Sequence, residues 1–178
     1  MNTIKFNLPT ILTFSRIILI PFFIIITPQN PFLGVAIFLI ASLTDFFDGY
    51  LARRSGQITK FGIILDPIAD KFLVISALIL LVDMVRLSAW IAIAIIVREF
   101  VVTGLRVVAL SKDIVMPAEK AGKLKTTAQM ASIVFLILPG GIGDVDFYDI
   151  GLILIYLALI LALTSGYRYV INFWRNFQ

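Results

Sequence analysis

Cysteine and histidine are both absent from the 178 residues, and charged residues make up only 15% of the chain. Without cysteine there is no disulfide, no thiolate nucleophile and no zinc–thiolate site; without histidine there is no imidazole general base. Any chemistry must run on carboxylates, lysine, arginine and hydroxyls. Beside the scarce charge stand 60% hydrophobic residues, where an ordinary soluble domain has about 45–50% apolar and about 25% charged. That balance argues against a soluble globular chain. The length favours one domain, residues 1–178, and internal repeats and low-complexity tracts are missing too. The excess of 15 basic over 11 acidic residues is no sign of a nucleic-acid partner, because basic residues in a membrane protein mark orientation.

What is present is six apolar stretches, roughly 11–27, 32–52, 63–82, 87–110, 121–138 and 150–169, each near the about 20 residues that a spanning helix needs. The expected fold is therefore all-α: a polytopic membrane protein with six transmembrane helices. Pro21 and Gly104 fall inside spans, where membrane helices tolerate them. Pro28, Pro31, Pro139, Gly140, Gly141 and Gly143 fall between spans and punctuate them. Lys5, Arg53, Arg54, Lys60, Lys112, Lys120, Lys123, Lys125, Arg168 and Arg175 fall on one side of this arrangement, and Arg86 alone on the other. Basic residues are retained on the cytoplasmic side, so both termini are expected there. The loop 139–149, with Asp144, Asp146 and Asp149 and no basic residue, suits the outer face. No small-residue cleavage site follows the first apolar run, so an anchored helix is expected rather than a removed signal peptide. Residues 1–10 are left able to lie along the inner surface.

Four acids cluster in the window from Thr44 to Asp70. Asp45 and Asp48 are three apart and Asp66 and Asp70 four apart, spacings that put each pair on one helix face. The second span runs inward and the third outward, so Asp48 and Asp66 belong near the mouth, with Asp45 and Asp70 about one turn deeper. Converging carboxylates raise one another's pKa and cannot all stay ionised uncompensated. A divalent cation resolves this, and all-oxygen ligands favour Mg²⁺, Mn²⁺ or Ca²⁺. Two ions about 4 Å apart would suit phosphoryl chemistry. Gly49 and Gly62 permit close approach of a bulky ligand, and Arg53 can hold a phosphate bidentately. The plainer alternative is that each aspartate is solvated or paired with Arg54, Lys60 or Lys71. Intramembrane acids are nevertheless functional more often than not.

With these residues in view, the window resembles the signature of the CDP-alcohol phosphatidyltransferases, D-x-x-D-G-x-x-A-R, eight residues, G, three residues, D, three residues, D. Asp45, Asp48, Gly49, Ala52, Arg53, Gly62, Asp66 and Asp70 fill every fixed position. The resemblance implies six membrane helices, a homodimer, a site open to the cytoplasm of a bacterial inner membrane, and Mg²⁺ or Mn²⁺ as cofactor, with two ions. It implies that an alcohol displaces CMP from CDP-diacylglycerol. By position, Asp45, Asp48, Asp66 and Asp70 would bind metal, and Asp70 would also accept the proton. Gly49, Ala52, Arg53, Thr59 and Gly62 would line the CDP-diacylglycerol site, with Thr10 and Thr13 as further candidates, though hydroxyls bonded to backbone would read the same way. The elementary chemistry agrees: with no histidine, the base falls to an aspartate.

The acceptor must be read outside this window. Arg98 and Arg106 lie in the fourth span, and Lys120, Lys123 and Lys125 open the fifth. An intramembrane arginine is costly unless paired, and Glu99 projects about 100° away from Arg98 on an ideal helix, a poor position for pairing. Arg98, Arg106, Lys123 and Lys125 are therefore candidates for an acceptor phosphate, against the alternative that the lysines only signal orientation. Arg98-Glu99-Phe100, Gly104-Leu105-Arg106 and Gly122 to Gln129 are similar to the corresponding stretches of family members that use sn-glycerol 3-phosphate. The resemblance implies that acceptor; serine or an inositol phosphate are the alternatives within the family. A small ion-coupled transporter is the rival outside it, opposed by acids gathered at one membrane face.

Overall fold

The computed structural model describes residues 8–55, 60–111 and 120–177. Six α-helices dominate: α1 (Leu8–Ile26), α2 (Pro31–Ser55), α3 (Lys60–Asp83), α4 (Ala89–Ser111), α5 (Lys120–Ile137) and α6 (Phe147–Phe177). Their lengths of 18 to 31 residues correspond to about 27 to about 46 Å. Among the described residues, one stretch, Phe147–Arg175, is long and apolar enough to cross a membrane. Ser15–Ile26, Pro31–Thr44 and Leu124–Ile137 are shorter apolar helical stretches. The helix ends reach beyond the apolar runs. α6 continues to Phe177 rather than stopping near 169, and α1 begins at Leu8, because backbone hydrogen bonding carries on through polar residues that hydropathy does not count. Residues 1–7 lie outside the described residues.

The chain divides into two compact units, Met1–Leu80 and Leu81–Gln178. In the first, α1 and α2 pack as a helical hairpin. Asn30 caps α2, its Oδ1 accepting from Leu33 N–H at 3.1 Å, and Pro31 takes the first helical position, where a missing N–H costs nothing. Gly34 lets the helices close, since a Cβ there would lie 2.9 Å from Thr27 Cα. Phe23 and Phe38 stack across the pair with ring centroids 5.7 Å apart, both fully buried. Pro21 sits within α1 as expected.

In the second unit, α6 packs against both α4 and α5. Gly151 permits close approach to α5: a Cβ would lie 2.8 Å from Leu136 Cγ, and Ser132 Oγ donates to Gly151 O at 2.7 Å. Small residues at such crossings are the usual means of bringing apolar helices together. The loop after α5 folds into a two-stranded antiparallel hairpin, β1 (Gly141–Ile142) and β2 (Val145–Asp146), with Gly141 opposite Asp146. Gly143, at φ 62°, supplies the left-handed residue that a two-residue turn demands. Asp146 then caps α6, its Oδ1 accepting from Tyr148 N–H at 2.9 Å.

Arg86 accounts for itself here. Its Nε donates to Leu136 O and its Nη2 to Leu138 O, both at 3.0 Å, and its guanidinium lies 5.3 Å from the Tyr148 ring centroid. It satisfies carbonyls left over at the end of α5.

Candidate functional site

The aspartate window occupies the last part of α2 and the first part of α3. Asp45, Asp48, Gly49, Ala52 and Arg53 lie on α2, and Gly62, Asp66 and Asp70 on α3. Thr59 lies outside the described residues. The five peptide links from Ser55 to Lys60 hold the two helix ends within roughly 18 Å of each other. Counting back from those ends, Asp48 and Asp66 stand about 10 Å along their helices, and Asp45 and Asp70 about 15 Å. Along the chain, then, each helix carries one aspartate nearer the intervening link and one about a turn farther from it. Pro67 adds a feature that residue spacing did not raise: it has no N–H, so the carbonyl of Ile63 lacks its usual helical donor. A proline within an acidic helix was the signal. Thr10 and Thr13 fall in the first two turns of α1.

A second polar cluster lies wholly within the second unit and joins three helices. Arg98 on α4 donates from Nε to Ala162 O at 2.9 Å and from Nη2 to Ser165 Oγ at 2.7 Å, both on α6. Its Nη1 donates to Glu99 Oε1 at 3.0 Å. Lys125 on α5 pairs with the same Glu99 oxygen. The expectation that Arg98 and Glu99 are too far apart in azimuth to pair is corrected: the 100° offset applies near the backbone, whereas these long side chains meet at their tips. The side chains of Arg98 and Glu99 are 13% and 19% exposed, and that of Lys125 only 5%. Gly166 makes room, since a Cβ there would come 3.3 Å from both Cγ and Nε of Arg98. Glu99 and Ser165 are the members that sequence reasoning missed.

The other acceptor candidates lie on the same helices, α4 and α5. Arg106, two turns along α4, is exposed, with its guanidinium 6.0 Å from the Tyr169 ring centroid. Lys123 falls in the first turn of α5. Beneath the exposed Trp90 and Tyr167, an apolar groove of about 420 Å³ runs between α4 and α6, with Arg98 and Gly166 in its walls.

Residues 6–164 match the profile of the CDP-alcohol phosphatidyltransferase family, and the chain belongs to that family. Among curated relatives, the CDP-diacylglycerol–glycerol-3-phosphate 3-phosphatidyltransferase of Bacillus subtilis (strain 168) is 40% identical, with 95% of this chain and 96% of that protein covered. The proteins of the same name from Escherichia coli (strain K12) and Shigella flexneri serotype 5b (strain 8401) are each 39% identical, covering 93% of this chain and 94% of theirs.

Proposed function

We propose that the chain transfers the phosphatidyl group of CDP-diacylglycerol to sn-glycerol 3-phosphate, giving phosphatidylglycerophosphate and CMP in phospholipid synthesis. The observation that carries this is near full-length similarity to enzymes of that name, joined to a complete family signature on α2 and α3. The profile match runs across the boundary between the two units, which supports one functional domain. The apolar helices support a multi-pass membrane protein; the one-sided basic residues support termini and site on the cytoplasmic side, and the family resemblance is the ground for a bacterial inner membrane and a second copy as partner.

The donor set of four carboxylates on two consecutive helices, with no nitrogen or sulfur ligand among them, fits hard divalent ions. Asp45, Asp48, Asp66 and Asp70 would hold one or two Mg²⁺ or Mn²⁺ ions, which when bound supply charge neutralisation for the pyrophosphate and the departing CMP. Gly49, Ala52 and Gly62 leave room for the CDP moiety, and Arg53 and Thr59 bind it, with Thr10 and Thr13 completing the donor site. Asp70 accepts the hydroxyl proton as the acceptor oxygen bonds to phosphorus in line and the bond from phosphorus to the CMP oxygen breaks. Lys123, Lys125 and Arg106 bind the acceptor's phosphate by charge-assisted hydrogen bonds. Arg98, with one donation from each of its three nitrogens made to α6 or Glu99, holds that region together.

The test is CMP release by purified protein with CDP-diacylglycerol and Mg²⁺, comparing glycerol 3-phosphate, serine, inositol and inositol phosphate. Release with glycerol 3-phosphate alone is expected. Release with another acceptor keeps the donor site and overturns the acceptor, and release with none overturns the activity.

A further inference from the structure

We propose that Glu99 is a positioning residue for the acceptor, fixing the Lys125 ammonium where the acceptor's phosphate binds while Arg98 anchors Glu99 to α6. The inference rests on the reading that the acceptor carries a phosphate. Its basis is the order in which the three helices are joined. Arg98 is set against α6 at two points, Ala162 O and Ser165 Oγ, in a notch that exists because residue 166 has no side chain. Its remaining terminal nitrogen holds Glu99 Oε1. That same oxygen takes the Lys125 ammonium from α5. A chain of directional contacts thus runs from α6 through α4 to the ammonium and restrains the otherwise flexible lysine stem.

Simple adhesion between helices would not call for this arrangement. Apolar side chains of similar volume serve that purpose as well as, or better than, a buried ion pair. Here two cations are gathered on one carboxylate oxygen, a geometry that brings two like charges side by side at low dielectric. One carboxylate shared by two cations leaves the cluster with a net positive charge, and a pre-fixed Lys125 ammonium loses less freedom on binding an anion than an unrestrained lysine would. Glu99 itself, as an anion, does not touch the phosphate.

The variants are Glu99→Gln, Glu99→Asp and Ser165→Ala, the last acting at the far end of Arg98 without altering either ion. Each is assayed for CMP release against both substrates, and for protection from thermal unfolding by glycerol 3-phosphate. Glu99→Gln is expected to raise the acceptor KM by about tenfold or more, leaving the KM for CDP-diacylglycerol within about twofold. Glu99→Asp restores part of the loss, and Ser165→Ala shifts the acceptor KM in the same direction by less. Equal changes in both KM values, or a fall in kcat with an unchanged acceptor KM, would show a merely structural role and overturn the proposal. If Glu99→Gln does not fold, Ser165→Ala decides by the same criterion. If the unaltered protein releases no CMP with glycerol 3-phosphate, the proposed activity fails and thermal protection alone decides the positioning role. Protection present in the unaltered protein and lost in the variant upholds that role; equal protection in both, or none in either, overturns it.

Discussion

Arg86→Ala removes a connection that the structure allows to be weighed. The half-buried guanidinium donates twice to α5, to Leu136 O and Leu138 O at 3.0 Å, and stacks 5.3 Å from the Tyr148 ring centroid at the start of α6. Truncation leaves two helix-end carbonyls without that donor and removes a positive charge from the C-terminal end of a helix, where the macrodipole favours it. Charge-assisted hydrogen bonds at a partly exposed site contribute about 1 kcal/mol each, and an exposed cation–π contact about 0.5–1 kcal/mol. The expected loss is about 3 kcal/mol, or about 6–12 °C in Tm for a chain of this size. Thermal unfolding of detergent-purified protein followed by circular dichroism reads it directly. Arg86→Lys keeps the charge but not the planar fork, so it should recover about half of the loss. CMP release at low temperature should be unchanged in both. A Tm for Arg86→Ala within about 2 °C of the parent, or full recovery with lysine, would refute the reasoning.

Gly151→Ala should lower stability by about 1–3 kcal/mol, because its Cβ would press on Leu136 at 2.8–3.0 Å and disturb the bond from Ser132 to Gly151 O; an unchanged Tm would count against that close approach. Val85 holds φ at 58° while exposed, so Val85→Gly should stabilise by about 1 kcal/mol, and a lower Tm would contradict the strain. Asp70→Asn should abolish CMP release while retaining binding of CDP-diacylglycerol in an equilibrium assay, and undiminished turnover would remove Asp70 as the base. Chelation with EDTA should stop CMP release and added Mg²⁺ or Mn²⁺ restore it; release that persists after exhaustive chelation would overturn the metal requirement.

The number and order of helices are legible in the sequence because each carries an apolar run, and a run of that length has few other ways to satisfy its backbone. The hairpin from Gly141 to Asp146 is not, since its two-residue strands are too short for any alternation to register, and only Gly143 hints at a turn. The helical placement of the donor window is legible because its members adjoin two apolar runs consecutive in sequence, and α2 and α3 carry them. The cluster in the second unit joins residues 26 and 67 positions apart, and no local period connects Glu99 to Lys125 or Arg98 to Ser165. Glu99 is visible in the sequence, but the azimuth of its Cβ says less about its partners than the reach of its carboxylate.

Three arginines of the second unit show why charge and position alone do not assign a role. Arg86 has the position of an exception to the orientation rule, yet two of its donors and its ring contact are committed to α5 and α6. Arg98 has the position of a phosphate ligand, yet its Nε, Nη1 and Nη2 each already donate once, which leaves two of its five N–H groups and a fixed orientation for any further partner. Arg106 instead is exposed, with its guanidinium beside Tyr169 and no such clamp among the described residues. Among residues of one chemical type, the deciding quantity is how many donors the fold has already engaged.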